Sequence, residues 1–192
     1  MTQNIHSGAT RSGHSIPMKI LAKMHDVDAR LFFSVFQGAE RGWFRALAKT
    51  LSHSADGYLF VLLPLALWLA QSPLVGSLCT LICIALAAER CVYWSLKNSL
   101  KRRRPQESID NFHSVITASD RFSFPSGHTS AAFLLVTCLT IIYQEPAASL
   151  YVWAGSIGLS RVILGVHYPG DTIAGAVMGS TIAFVTANFL GV

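Results

Sequence analysis

Five stretches of this chain are nearly free of charge: Tyr58–Ala70, Leu74–Ala88, Thr129–Tyr143, Ala147–Leu164 and Thr172–Val192. With a few flanking residues several reach the ~20 that cross a bilayer as a helix, and Leu51–Gln71 and Leu74–Trp94 do so. Helices on the surface of a soluble protein carry a polar face at every turn, and these segments carry none. The chain is 52% hydrophobic and 13% charged, against about 25% charged in ordinary soluble domains. Its 192 residues suffice for one domain. The expected fold is therefore all-α: an integral membrane helical bundle of about five spanning helices, preceded by amphipathic N-terminal helices.

Residues 1–26 read as a flexible segment and residues 27–192 as the membrane domain. Thr2–Ser15 is rich in Ser, Gly and Thr, and residues 1–25 lack the apolar core of a signal peptide. Asp28–Phe36 and Gly42–Leu51 read as short amphipathic helices with Leu, Phe and Trp stripes, suited to the interface plane. Cys79, Cys83, Cys91 and Cys138 all lie in apolar segments, where cysteine behaves as a small hydrophobe. They form neither a disulfide framework nor a metal site. Gly175 and Gly179 make a small-residue step that lets a neighbouring helix pack closely.

Three polar clusters interrupt the apolar pattern. One is Lys97 with Arg104-Pro105, the next is Pro125-Ser126-Gly127-His128, and the last is Ser160-Arg161 with His167 and Asp171. Five spans place all three on one membrane face. The first two spans return the chain to its starting side, so the loop Ser95–Phe124 lies there. The hairpin through Gln144-Glu145-Pro146 brings it back, so His167 and Asp171 emerge there too, with the C-terminus opposite.

Lys97 and Arg104 are seven residues apart, a spacing that two helical turns nearly close, with Lys101 near the same face and Pro105 ending the helix. Arg offers a planar fork and Lys a point charge, the usual grips on a phosphoryl group. In isolation the run from Lys97 to Arg104 would better suit contact with anionic headgroups. Set beside the other clusters, Lys97 and Arg104 become ligands and Arg102 and Arg103 surface residues. Pro125-Ser126-Gly127-His128 opens a span, where free N–H groups and the helix dipole favour an anion. Arg161 sits within an apolar run, at a cost of at least ~2.5–3.5 kcal/mol unless it faces a polar cavity. His167 and Asp171 are four apart, so the carboxylate can hold one imidazole nitrogen and leave the other free to attack.

In this order and spacing the clusters resemble the signature of the type 2 phosphatidic acid phosphatase superfamily, which includes membrane lipid phosphatases and the vanadium haloperoxidases. The resemblance covers roughly residues 51–190, and no motif position departs from it. It implies that His167 is the nucleophile forming a phosphohistidine, that Asp171 orients it and that His128 protonates the leaving oxygen. Lys97, Arg104, Arg161, Ser126 and the Gly127 amide would bind the equatorial oxygens, where charge spreads in phosphoryl transfer. No metal and no cofactor are implied. The implied partners are a lipid phosphate substrate and membrane lipids, with no nucleic acid.

The expected activity is hydrolysis of a lipid phosphomonoester or diphosphate, such as undecaprenyl diphosphate, phosphatidic acid or phosphatidylglycerophosphate. A lipid phosphotransferase, in which a hydroxyl acceptor intercepts the same intermediate, is the nearest rival. A non-catalytic membrane protein would not need both histidines. The resemblance implies a bacterial inner membrane with the site on the periplasmic face. The distribution of Lys and Arg, nearly all on the site's side, argues for the cytoplasmic face instead.

Overall fold

The computed structural model describes residues 16–192, with side chains described from Asp26 onward except at residues 145 and 146. The segment Thr2–Ser15 lies outside the described residues. Among those described, the chain is all helical: α1 Ile16–Gly38, α2 Gly42–Ser54, α3 Leu59–Leu69, α4 Val75–Leu100, α5 Pro105–Ser108, α6 Gly127–Tyr143, α7 Glu145–Ala148, α8 Tyr151–Ile163 and α9 Pro169–Leu190.

Helix α6 lies at the centre. Its Leu134, Leu135, Cys138 and Leu139 pack with Leu78, Leu81, Ile82 and Ala85 of α4 and with Ala183 and Ala187 of α9. Its Ala132 and Val136 meet Ala154 and Ile157 of α8. The two glycines of α9 set its distance from α6. A Cβ on Gly175 would stand 2.6 Å from the Ser126 carbonyl oxygen, and one on Gly179 2.1 Å from that of Ser130. The step is thus a packing device within the bundle. A polar clasp joins α4 to α6, because Glu89 is fully buried and accepts a hydrogen bond from Ser130 Oγ at 2.7 Å. Arg90 pairs with the same carboxylate at 2.5 and 2.6 Å.

The outside of the bundle is apolar. Val61 and Leu69 of α3, and Ile173, Val177 and Phe184 of α9, are each 60–67% exposed, and Phe189 is 83% exposed. No residue of α3 is buried. Lipid is the solvent that suits such a surface, and the chain is an integral membrane helical bundle. Each of the five apolar runs contains one helix, but their lengths differ. Among the described residues, α4 (with α5) and α9 are long and apolar enough to cross a bilayer. By contrast α3 has 11 residues, α8 has 13 and α6 has 17, short of the ~20 that a perpendicular crossing takes.

Three expectations change. Leu51–Gln71 is not one helix: α2 runs on to Ser54, and a turn around Asp56 and Gly57 (φ 101°) precedes α3. The expected short helix Asp28–Phe36 is part of a longer one, since α1 runs for 23 residues from Ile16 to Gly38. Lys97 and Arg104 do not share a helix, because Lys101 adopts a left-handed conformation (φ 46°) and ends α4 at Leu100. Pro105 then opens α5 at its first position, where its missing N–H costs nothing.

Candidate active site

The turn between α8 and α9 presents the third cluster. Pro169 starts α9, and Asp171 in its first turn accepts the Tyr168 backbone N–H at 2.8 Å, a carboxylate where the helix dipole favours one. His167 is 2% exposed. Its Nδ1 lies 3.6 Å from Asp171 Oδ2 and its Nε2 3.5 Å from Arg104 Nη1. Burial pushes the His167 imidazole down to about 4, with Arg104 and Arg161 adding to the effect and Asp171 opposing it. At neutral pH it is therefore uncharged, with a lone pair available.

Asp171 has a second partner that the sequence did not reveal. Arg102 Nη1 donates to Asp171 Oδ1 at 2.7 Å, and Arg102 Nη2 donates to Asp28 Oδ2 at 2.6 Å. Asp28 Oδ1 also accepts the Gly170 N–H at 2.7 Å. The reading of Arg102 as a surface residue is thus corrected: the break at Lys101 turns its guanidinium inward, and Arg103 alone of the pair is exposed. Through this bridge α1, which carries no motif, is tied to the base of α9.

The two cations of the first cluster converge although they do not share a helix. Asp120, in the loop between α5 and α6, accepts Lys97 Nζ at 2.7 Å and also pairs with Arg104 Nη2. Lys97 further donates to the Tyr93 hydroxyl at 2.5 Å, and Arg104 Nη1 donates to the Val166 carbonyl at 2.5 Å. Burial works to raise the Asp120 carboxyl, but Lys97, Tyr93 and Arg104 bring it down to about 2. It is a carboxylate at any working pH.

The second cluster opens α6, with Gly127 as its first residue. Gly127 faces the Tyr93 ring, which would lie 3.1 Å from an added Cβ. Ser126 is fully buried and bonds Thr129 Oγ1 at 2.9 Å instead of capping the helix. His128 Nε2 lies 2.9 Å from Asp56 Oδ1 in the α2–α3 turn. Arg161 is 4% exposed, its Nη1 donates to Ser52 Oγ at 2.6 Å, and its buried Nε has no partner.

Arg104, Gly127, His128, Arg161 and His167 line one cavity of about 760 Å³, together with Asp56, Tyr93 and Asp120. Phe60 and Val61 of α3 and Leu86 and Trp94 of α4 complete it, so its wall passes from cations to lipid-facing side chains. Lys97, Ser126 and Asp171 stand behind this wall. Asp120, Asp56 and Arg102 are the charged residues that sequence reading missed, since none belongs to a recurring local pattern. Among the described residues no three His, Cys, Asp or Glu side chains gather as a metal site would.

With that geometry in hand, likeness to known proteins is informative. The profile of the PAP2 superfamily matches residues 74–191. The lipid A 4'-phosphatase of Bacteroides thetaiotaomicron is 30% identical over 113 residues, which cover 54% of this chain and 50% of that protein. The chain spans about half the length, or less, of the curated relatives it matches. The crystal structure of LpxE from Aquifex aeolicus superposes with a TM-score of 0.73 at 23% identity, covering 84% of this chain and 95% of that one. That of the transmembrane PAP2 type phosphatidylglycerolphosphate phosphatase from Bacillus subtilis gives 0.69 at 19% identity, covering 88% and 87%. At these identities the two structures speak for the fold.

Proposed function

The chain belongs to the PAP2 superfamily, and on that premise we propose that it is a membrane-embedded lipid phosphatase acting through a phosphohistidine. The observation that carries this reading is the shared cavity. His167, His128, Arg104 and Arg161 face one space with Asp56, Arg90 and Asp120, and on another side that space is walled by Phe60, Val61, Leu86 and Trp94. A phosphate on a lipid tail suits such a space, with the headgroup among the cations and the tail against α3 and α4.

In the first half-reaction neutral His167 attacks phosphorus through Nε2. Arg104, Arg161 and the Gly127 amide meet the equatorial oxygens, with Asp120 holding Arg104 and itself held by Lys97. Such preorganised donors act most strongly where water is excluded. His128 gives a proton to the departing oxygen, then takes one from the water that releases phosphate. The substrate is a lipid phosphomonoester or diphosphate; polyprenyl diphosphates, phosphatidic acid, phosphatidylglycerophosphate and lipid A phosphates share the required chemistry.

The test is phosphate release by the purified protein from a panel of these four lipid classes, with chelator present. Turnover of at least one, blocked by vanadate as a five-coordinate mimic of the transition state, is expected. Activity that vanishes with chelator and returns with a divalent ion would contradict the mechanism.

A further inference from the structure

The α2–α3 turn lies outside every motif, yet it touches the second histidine. His128 Nε2 stands 2.9 Å from Asp56 Oδ1, and the other carboxylate oxygen stands 2.8 Å from His53 Nδ1. The carboxylate is thus engaged on both oxygens, one of them by His128. With Nε2 engaged, Nδ1 is the imidazole nitrogen left to face substrate.

We infer that Asp56 is a positioning residue for proton transfer: it holds His128 with Nε2–H toward its carboxylate, so that Nδ1 delivers and recovers the leaving-group proton. This rests on His128 being the acid proposed above. The arrangement supplies what an acid in this place lacks. A protonated His128 faces Arg161 from α8, and Asp56 and the more distant Asp120 are the carboxylates whose charge reaches it. Beyond Asp56, His53 and Lys49 of α2 line an adjoining cavity of about 200 Å³ with Arg161 and His128. Two histidines thus each have a carboxylate of their own, Asp171 beside the nucleophile and Asp56 beside the acid.

As the bond from His167 Nε2 to phosphorus forms and the bond to the leaving oxygen breaks, that oxygen takes the His128 Nδ1 proton, leaving neutral His128 whose Nε2–H still donates to the Asp56 carboxylate. In the second step water oxygen bonds phosphorus, the N–P bond breaks, and the proton lost by water returns to Nδ1. Asp56 remains a carboxylate throughout. Burial pushes its carboxyl up, but the two histidines more than offset this and hold it below the usual range.

A merely structural latch at this partly exposed pair would be worth about 0–1 kcal/mol and would slow all substrates alike. Asp56→Asn keeps the shape and removes the charge. On the lipid phosphate that the panel turns over fastest, it should lower kcat/KM about tenfold or more, a part of the 10²–10⁴ that a general acid supplies in full. It should also move the alkaline limb of the pH profile to lower pH. On 4-nitrophenyl phosphate, whose leaving group needs no acid, kcat/KM should change less than threefold. In a His128→Ala background Asp56→Asn should cost nothing further, and Asp56→Glu should restore the alkaline limb. Equal losses on both substrates with an unmoved profile, or additive losses in the double variant, would overturn the inference. If Asp56→Asn does not accumulate, Asp56→Glu decides: a displaced alkaline limb in that charge-retaining variant would overturn it. His128→Ala slowing both substrates equally would instead refute the acid role of His128 itself, a separate failure.

Discussion

His167 Nδ1 lies 3.6 Å from Asp171 Oδ2, because the carboxylate is already held by Arg102 on Oδ1 and by the Tyr168 amide on Oδ2. Asp171 is therefore fixed to the frame before it meets His167. The buried Nδ1 of His167 has no hydrogen-bond partner, with the Asp171 carboxylate facing it just beyond hydrogen-bond reach.

The first consequence concerns Arg102. Removing its guanidinium frees Asp171 and separates α1 from α9. Hydrogen bonds to charged groups are worth about 1.5–3 kcal/mol, so Arg102→Ala should lower kcat/KM about tenfold or more, whereas Arg103→Ala on the exposed neighbour should stay within about twofold. Equal effects from the two substitutions, measured on one lipid phosphate, would show that the bridge does not matter.

Acid sensitivity should follow His167. Its folded value of about 4 lies below the ordinary 6.5. The buried neutral form therefore adds stability that is fully present above 6.5 and is lost as pH falls toward about 4. As the proposed nucleophile, His167 also stays neutral down to the same point. Activity should persist well below pH 6 and disappear as pH falls through about 4. An acid limb near 6.5, absent from no other histidine variant, would contradict a buried neutral nucleophile.

Much of this was legible in the sequence because the chemistry resides in residue type and spacing. His167, Asp171, Arg161, Gly127 and His128 fell where the clusters put them, and the apolar runs marked the helices. Lys97 and Arg104 converge as expected, but by another route: a left-handed Lys101 breaks the helix, and Asp120 gathers the two cations. Asp120, Asp56 and Arg102 were hidden because each finds its partners through tertiary contacts. Arg102 meets Asp28 and Asp171 from 74 and 69 residues away, and no local periodicity records that. Asp56 lies in the flank that extends Tyr58–Ala70 to the expected span Leu51–Gln71, and only the turn at Gly57 brings it out of a helix.

Packing of α6 against α9 should be intolerant of any side chain at the glycine step. Gly179→Ala would place a Cβ 2.1 Å from the Ser130 carbonyl oxygen and 3.0 Å from the Leu134 nitrogen, both backbone. Overpacking of this kind costs about 1–3 kcal/mol, or several degrees of Tm in a chain of this length. Gly76→Ala, where an added Cβ meets nothing within 4 Å, is the matched control and should leave Tm within about a degree. Equal Tm values in detergent for the two variants would refute the close approach.

Orientation in the membrane follows from α9, whose 22 residues carry the chain from the site to the C-terminus, about 33 Å along the axis. With the site on the periplasmic face, a C-terminal green fluorescent protein should fluoresce and a C-terminal alkaline phosphatase should be inactive. The reverse pattern would place the site in the cytoplasm, as the loop charges alone suggest.

The central claim is that His167 carries the phosphoryl group. The direct measurement is rapid quenching of the protein during turnover of a lipid phosphate labelled on phosphorus. The expected product is a labelled protein whose bond is stable to alkali and labile to acid, with the label located at His167 and absent from an inserted, folded His167→Ala variant that no longer turns over. Turnover at the wild-type rate by that variant, or label on a different residue, would contradict it.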